Sequence, residues 1–317
     1  MRVGIGLAML CAVLLAGNSE AALTMTAAGT AHGFSLSTFA SGFPVYAGNG
    51  AGPTGIAFLD TGVLVSDQPG NVRLFPSSAD GQNAGDVPVI QNYGIGDDEG
   101  LVRVGSAVYM TQFPLGHVVQ LNSSGHYQRD VASVQSASGI VLNPANGHLF
   151  VGSFDNNQIM DVDPVTGVVQ VLASAPSPDG LVLSADGRTL YVAAEGSGSV
   201  RGFDTITGDR VYDSGIISGV VDGVALGAGT LSGKLFVNTN SGVLVEVDLA
   251  TNAKTVIANG GSRGDFLTVD PTNDTLLVTQ GDRIMRLHGG TFVPEPGSTG
   301  LGAVVGWLLL MARGRRG

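Results

Sequence analysis

Asp179-Gly180-Leu181-Val182-Leu183, Leu190-Tyr191-Val192-Ala193, Ser199-Val200-Arg201-Gly202-Phe203 and Asp209-Arg210-Val211-Tyr212 follow one another within 34 residues. Turns at Ser184-Ala185-Asp186-Gly187, Glu195-Gly196-Ser197-Gly198 and Asp204-Thr205-Ile206-Thr207-Gly208 separate them. Short runs rich in Val, Leu, Phe and Tyr, bounded by Gly, Asp, Ser and Thr, read as four antiparallel strands. None has the length or the 3.6-residue spacing of a helix. A single meander of this kind cannot bury both faces of its sheet, so it requires neighbours like itself.

The chain supplies them. Aligned on the residue that opens the first strand, Gly55, Gly100, Gly139, Gly180, Gly223 and Phe266 recur at intervals of about 39–45 residues, the period of four-stranded propeller blades. Second strands recur at Val63–Ser66, Ala107–Met110, Leu149–Gly152, Leu235–Asn238 and Leu276–Thr279. Third strands recur at Asn71–Leu74, His117–Leu121, Gln158–Val162, Val243–Val247 and Arg283–Leu287. The expected fold class is therefore all-β, a six-bladed β-propeller spanning 33–292. The sixth repeat runs short of strands after Leu287, whereas Phe34–Phe39 alternates apolar and polar ahead of the first repeat. That N-terminal strand is expected to supply the outer strand of the last blade and so remove an open sheet edge. Ala27–Gly33 reads as a loose lead-in, and the outer strand of the first blade is placed near Val87–Ile90.

The 317 residues hold 49 Gly, which suits many tight turns. Formal charge is -11, and setting aside Arg2, Glu20, Glu295, Arg313, Arg315 and Arg316 makes the body near -13. Such a body lacks the basic footprint that phosphate backbones require, so nucleic acid is not an expected partner. Cations, or neutral and cationic ligands, fit better. The one cysteine, Cys11, lies within the apolar run Val3–Gly17. With Arg2 ahead of that run and Ser19-Glu20-Ala21 behind it, residues 1–22 read as a secretory signal peptide.

The other end changes character at Val293-Pro294-Glu295-Pro296. An uncharged stretch, Gly297–Ala312, follows, and then Arg313, Arg315 and Arg316. Sixteen uncharged residues fall short of the roughly 20 of an ordinary membrane span. The order Val-Pro-Glu-Pro, apolar helix, arginine cluster over 293–317 resembles the PEP-CTERM sorting signal of Gram-negative bacteria. That resemblance implies an exosortase-type enzyme as partner and transient residence in the inner membrane. It further implies removal of the tail and delivery to the cell surface or extracellular matrix, often alongside exopolysaccharide. A plain membrane anchor would account for the helix and arginines but not for the Pro-Glu-Pro.

In a propeller, the loops leading into the innermost strands and those joining second to third strands gather around one mouth of the central channel, a concave place where all blades meet. The residues just before the six innermost strands are Thr54, Glu99, Ser138, Asp179, Asp222 and Asp265. Asp67, Asp155, Glu195 and Asp282 lie in second-to-third loops, with Gln112, Asn156, Asn238, Asn240 and Gln280 as neutral oxygens. Hard oxygens of this kind suit Ca2+, and Glu99, Asp179, Asp222 and Asp265 are the expected metal ligands. Asp-Gly is also a common turn pair, so the same residues have a purely conformational reading, which Glu99 fits poorly. The aspartates that open the third-to-fourth turns, Asp163, Asp204 and Asp248, read as turn formers.

Repeats opening Glu-Gly, Pro-Asp-Gly-Leu and Asp-Gly-Val, followed by Leu-Tyr-Val-Ala and Gly-x-Val, resemble the gluconolactonase/regucalcin and NHL-type six-bladed propellers over about Gly33 to Leu287. In the lactonases a divalent cation is held by a Glu-Gly glutamate and by Asn or Asp at strand starts. The resemblance assigns those roles to Glu99, Asp179 and Asp222. The chain departs from the pattern, since its glutamate opens the second repeat and no strand start is Asn. Three readings remain: a binding module at an acidic channel mouth, a metal-dependent lactonase-like hydrolase, or a structural matrix protein. A lyase-type acid/base histidine has one candidate on the mouth side, His117. No Gly-x-Ser-x-Gly elbow, His-Glu-x-x-His or P-loop is present. Gly94, Gly96 and Gly100 do not make a dinucleotide fingerprint. Tyr46, Tyr93 and Phe113 are candidates for a sugar-contacting surface near the mouth.

Overall fold

A computed structural model describes residues 21–93 and 98–294. Their strands form six antiparallel four-stranded sheets, two of which carry one additional short strand. The first blade comprises Pro53–Leu59, Gly62–Asp67, Asn71–Phe75 and Val89–Asn92. The second runs from Asp98–Val104 to Tyr127–Ser133, and the third from Ala137–Leu142 to Val169–Ser174. The fourth runs from Pro178–Leu183 to Arg210–Asp213, and the fifth from Val221–Leu226 to Lys254–Asn259. Leu267–Asp270, Thr275–Thr279 and Arg283–His288 build the sixth.

The strands read as apolar runs instead of simple alternations because both faces of each blade are covered. Leu64 and Val72 of the first blade pack on Leu101, Val108 and Met110 of the second. Val63 and Val65, one position out of step, face Leu277 and Ile284 of the sixth. Comparable clusters fill the remaining four blade interfaces. The core is thus six radial layers, and the period-2 geometry of each strand sends its side chains alternately to the two neighbouring blades.

The ring closes through the N-terminal strand. Ser35–Ser41 pairs antiparallel with Arg283–His288 and gives the sixth blade its fourth strand. Gln82–Asn83, from an excursion within the first blade, then adds in parallel beside it. Arg286, only 2% exposed, fastens this seam. Its guanidinium reaches Asp270 and Thr275 in its own blade at 2.6 Å, and Asp80 in the excursion at 2.6 Å. It also lies over the Phe39 ring, 5.5 Å from the centroid.

The lead-in differs from the sequence expectation. Thr24–Met25 adds a fifth strand to the fifth blade, and Ala27–Ala31 forms one helical turn, not a loose segment. Thr26 caps it by accepting from the Gly29 N–H at 3.0 Å, and Gly29 lets the turn lie against the Ile257 carbonyl, where a Cβ would clash. Five residues are too few for a helical period to register. Among the described residues no helix is long and apolar enough to cross a membrane. Of the signal peptide, only Ala21 and Ala22 are within the described residues. Glu295, Pro296, Arg313, Arg315 and Arg316 also lie outside them, as does the intervening apolar stretch.

Candidate functional site: the acidic channel mouth

In each of the first five blades the innermost strand carries a register shift against the second strand: Pro53/Ile56, Asp98/Leu101, Ala137/Ile140, Pro178/Leu181 and Val221/Val224. An extra residue bends the strand and re-aims a side chain, and here each bulge holds the pair ending in the repeat glycine. A Cβ on Gly139, Gly180 or Gly223 would run into the carbonyl oxygen of Asp179, Asp222 or Asp265 in the next blade. Gly55 stands in the same relation to Glu99. The innermost strands therefore approach so closely that only glycine fits.

Side chains of the second strands lock this approach. Ser66 accepts from the Gly55 N–H at 3.0 Å and donates to the Glu99 carbonyl at 3.2 Å. Thr111 does the same for Gly100 and the Ser138 carbonyl. Asn238 donates to the Asp265 carbonyl at 3.2 Å and the Thr279 carbonyl at 2.9 Å. Within the ring itself, Ser138 donates to the Pro178 carbonyl at 2.6 Å. The backbone of the ring is thus held from behind, and the ring side chains are presented around the channel.

Thr54, Glu99, Ser138, Asp179, Asp222 and Asp265 are all buried, with Asp222 at 0% exposure and Glu99 and Asp179 at 8%. The acids share one electrostatic environment. Asp179 is pushed well above the usual carboxylate range by burial, and then by the charges of Asp265 and Glu195, with Arg263 opposing. Asp222 is likewise raised by burial and by Asp179 and Asp265, again with Arg263 opposing and Glu99 adding to the shift. Glu195 is raised chiefly by burial, against the pull of Arg263. One cation serves the whole group. Arg263 Nη2 lies 3.1 Å from Asp265 Oδ1 and 3.6 Å from Asp222 Oδ2. Burial works against its charge, but Asp265, Asp222 and Glu99 more than compensate and hold the guanidinium protonated.

The site holds more unpaired acceptors than donors. Asp179 Oδ1, both carboxylate oxygens of Asp222 and the side-chain carbonyl of Asn240 are buried without a hydrogen-bond partner, against one buried donor in the same state, Arg263 Nε. Asn240 turns its amide to Glu195 at 3.2 Å.

Of the second-to-third loop carboxylates, Glu195 alone joins the ring electrostatics. Asp67 is engaged by Asn71 and Arg73 within its own blade. Asp155 is exposed and accepts from Ser136, and Asp282 pairs with Arg283 at 2.6 Å. His117 stands 4.0 Å from Asp130, on the outer strand of its own blade. Phe113 packs edge-on against Phe154 between the second and third blades, and Tyr46 is exposed. Arg263 was not anticipated from the sequence. The signal was there: it is the sole basic residue among the four positions leading up to and including each ring position.

The oxygens suit a hard cation in kind but not in arrangement. Among the described residues, no three carboxylate, imidazole or thiolate groups are placed to hold one ion, and the Arg263 guanidinium already bridges Asp222 and Asp265. A three-ligand metal centre of the lactonase kind does not fit these residues as they stand.

No protein-family model and no curated protein matches the sequence. Solved structures do match in fold. A gluconolactonase from Xanthomonas campestris superposes with a TM-score of 0.65 at 16% identity, covering 85% of this chain and 97% of that one. An oxidoreductase (glucose dehydrogenase) assignment from Thermus thermophilus gives 0.61 at 18% identity, over 80% and 100%. The nidogen/laminin complex contributes a chain at 0.56 and 16%, over 71% and 96%. At these identities the likeness is one of fold: a six-bladed propeller similar to those of gluconolactonase, sugar dehydrogenase and nidogen.

Proposed function

We propose that the protein is an exported binding module that takes a hydroxyl- or amine-bearing saccharide at the channel mouth. The observation that carries this reading is the pair Asp179 and Asp222, buried in the ring with oxygens that have no donor. Buried polar groups are ordinarily satisfied. A ligand that brings O–H or N–H donors supplies what this ring lacks, and a protonated amine also offsets its excess negative charge. Arg263, shared between Asp222 and Asp265, is left to orient those acceptors. Export and delivery to the surface are supported by the leader-like pattern of 1–22 and by the resemblance of 293–317 to a sorting signal. An exosortase-type enzyme and the inner membrane would be transient partners, and exopolysaccharide the lasting one.

A second reading has the same oxygens binding Ca2+, with Arg263 displaced from Asp222. It is favoured by the two donor-free Asp222 oxygens, and it is the one under which metal-dependent lactone hydrolysis would be worth assaying. Thermal unfolding separates the two. A ligand specific for the folded state adds about 2.7 kcal/mol at 100 times its Kd. Stabilisation by neutral and amino oligosaccharides, unchanged by chelator and abolished in Asp179→Asn/Asp222→Asn, supports the saccharide reading. Stabilisation by Ca2+ alone supports the metal. A wild type indifferent to both, across a panel of exopolysaccharide fragments, would remove the mouth as a ligand site.

A further inference from the structure

The face opposite the mouth carries a feature that the binding reading does not use. A groove of about 710 Å³ opens where the first-to-second turns of the fourth, fifth and sixth blades converge. Val182, Leu226, Val269, Phe292, Val293 and Pro294 line it, and none of its lining residues is charged. Apolar concavities of this size are uncommon on a surface unless something fills them. The chain itself leads into it. Thr291 bridges to Ala228, Phe292 is buried in the core at 2% exposure, and the Phe292 and Val293 N–H groups donate to Asp274 at 2.7 Å. Described chain ends at Pro294, within the groove wall.

We infer that this groove is the docking site of the chain's own apolar segment Gly297–Ala312, the occupant that reaches it by the shortest path. Two residues, Glu295 and Pro296, separate that segment from the wall. So short a tether gives an effective concentration in the mM range, so a modest affinity suffices to keep the segment seated. Charge agrees with this choice of occupant. The turns on the same face carry Asp163, Asp186 and Asp204, which outnumber Arg188, while Asp248 is already paired with Lys234 at 2.9 Å, and the segment ends in Arg313, Arg315 and Arg316. An anionic lipid surface would meet like charge there; a basic tail would not. Docked, the segment would be shielded from water and from other apolar surfaces until a membrane or a sorting enzyme competes for it. The inference concerns the face remote from the ligand mouth and stands whether or not that mouth binds saccharide.

The sequence provides its own probe, because Trp307 is the sole tryptophan and lies in the segment. Acrylamide quenching of Trp307 is measured on the full chain in detergent-free buffer, at concentrations where sedimentation gives a monomer. Docking predicts weak quenching and a blue-shifted emission in the wild type. Leu226→Asp and Val269→Asp should each raise the quenching constant several-fold and move the emission to the red, with circular dichroism confirming the propeller. A cysteine pair, Val182→Cys with Leu309→Cys in a Cys11→Ser background, should cross-link within one chain. The inference is overturned if quenching is the same in wild type and both variants with no intrachain cross-link. It is equally overturned if shielding grows with protein concentration, if it appears only with phosphatidylglycerol vesicles, or if the chain sediments only as oligomers.

Discussion

Replacing Asp179 and Asp222 together by asparagine is expected to raise the stability of the folded chain while removing ligand binding. Asn keeps the shape and discards the charge. A carboxylate withdrawn from water retains an effective penalty of several kcal/mol after relaxation, and Asp222 and Asp179 are 0% and 8% exposed. Arg263, 3.6 Å from Asp222, returns part of that cost but is shared with Asp265. The new amide N–H groups can donate to the acids that remain. A net gain on the order of 2–3 kcal/mol follows for the pair, or about 4–12 °C in Tm at the usual 2–4 °C per kcal/mol for domains of 150–250 residues. The pH dependence has a definite sign. Both carboxyls have folded pKa values above the unfolded one, so the native state binds more protons and stability falls as pH rises from about 4 through the folded values. Wild type should therefore melt higher near pH 5 than at pH 7, and the double variant should lose most of that difference. Differential scanning calorimetry across pH reads both effects. Asp265→Asn should act in the opposite direction, because Arg263 would lose its nearer partner. A double variant that melts at or below wild type at pH 7 would refute the reasoning.

Two further perturbations test how the ring is assembled and closed. Gly139→Ala and Gly223→Ala each drive a methyl into a carbonyl oxygen of the next blade. Each should cost about 1–3 kcal/mol as overpacking, measured by urea denaturation. Ala at the turn residue Gly187, where a Cβ would meet nothing within 4 Å, should cost only the local strain of a positive φ, about 1 kcal/mol; equal losses at both kinds of site would argue against close blade approach. Arg286→Met leaves Asp270, at 0% exposure, without its counter-ion and should cost about 3–5 kcal/mol. Exchange of the Ser35–Ser41 amides should accelerate more than that of the third blade, and uniform acceleration would show that the seam is not where Arg286 acts.

The blades were legible because each repeat announces itself twice, in apolar runs of strand length and in glycine-bearing turns. Closure by the N-terminal strand was inferable from a missing strand at one end and a surplus at the other, and Ser35–Ser41 does pair with Arg283–His288. What the sequence hid were features without periodicity. The helical turn Ala27–Ala31 is too short to show a phase. The excursion that brings Asp80 to Arg286 joins residues 206 apart. Asp67 and Glu195 occupy equivalent loops, yet one faces Arg73 within its blade and the other shares the mouth with Arg263, a distinction set by the neighbouring side chains in space. The hydroxyls of Ser66 and Thr111, which no repeat pattern singles out, are donors that join one blade to the next.

The aspartates of the third-to-fourth turns and those of the ring differ in what their oxygens do. Asp163 and Asp204 accept from the backbone N–H groups two and three residues ahead, and Asp248 does the same. The Thr166 hydroxyl for Asp163, the Lys234 ammonium for Asp248 and the backbone N–H groups for Asp204 are the chief causes that hold their pKa values below the ordinary range. Such groups stabilise the fold, and that contribution is lost as pH falls through their depressed pKa values. Asp179 Oδ1 and both Asp222 oxygens accept nothing, although each residue also precedes a glycine. The bulge that holds them is built from backbone and from second-strand side chains, and it forms equally well around Thr54 and Ser138. The fold therefore does not require an acid at these positions, and burial makes an acid there costly. Groups that are costly, unnecessary to the fold and gathered around one channel are what a binding site accumulates. An Asp204→Ala variant that loses stability, beside an Asp222→Asn variant that gains it, would display the two roles of one residue type on opposite faces of the same propeller.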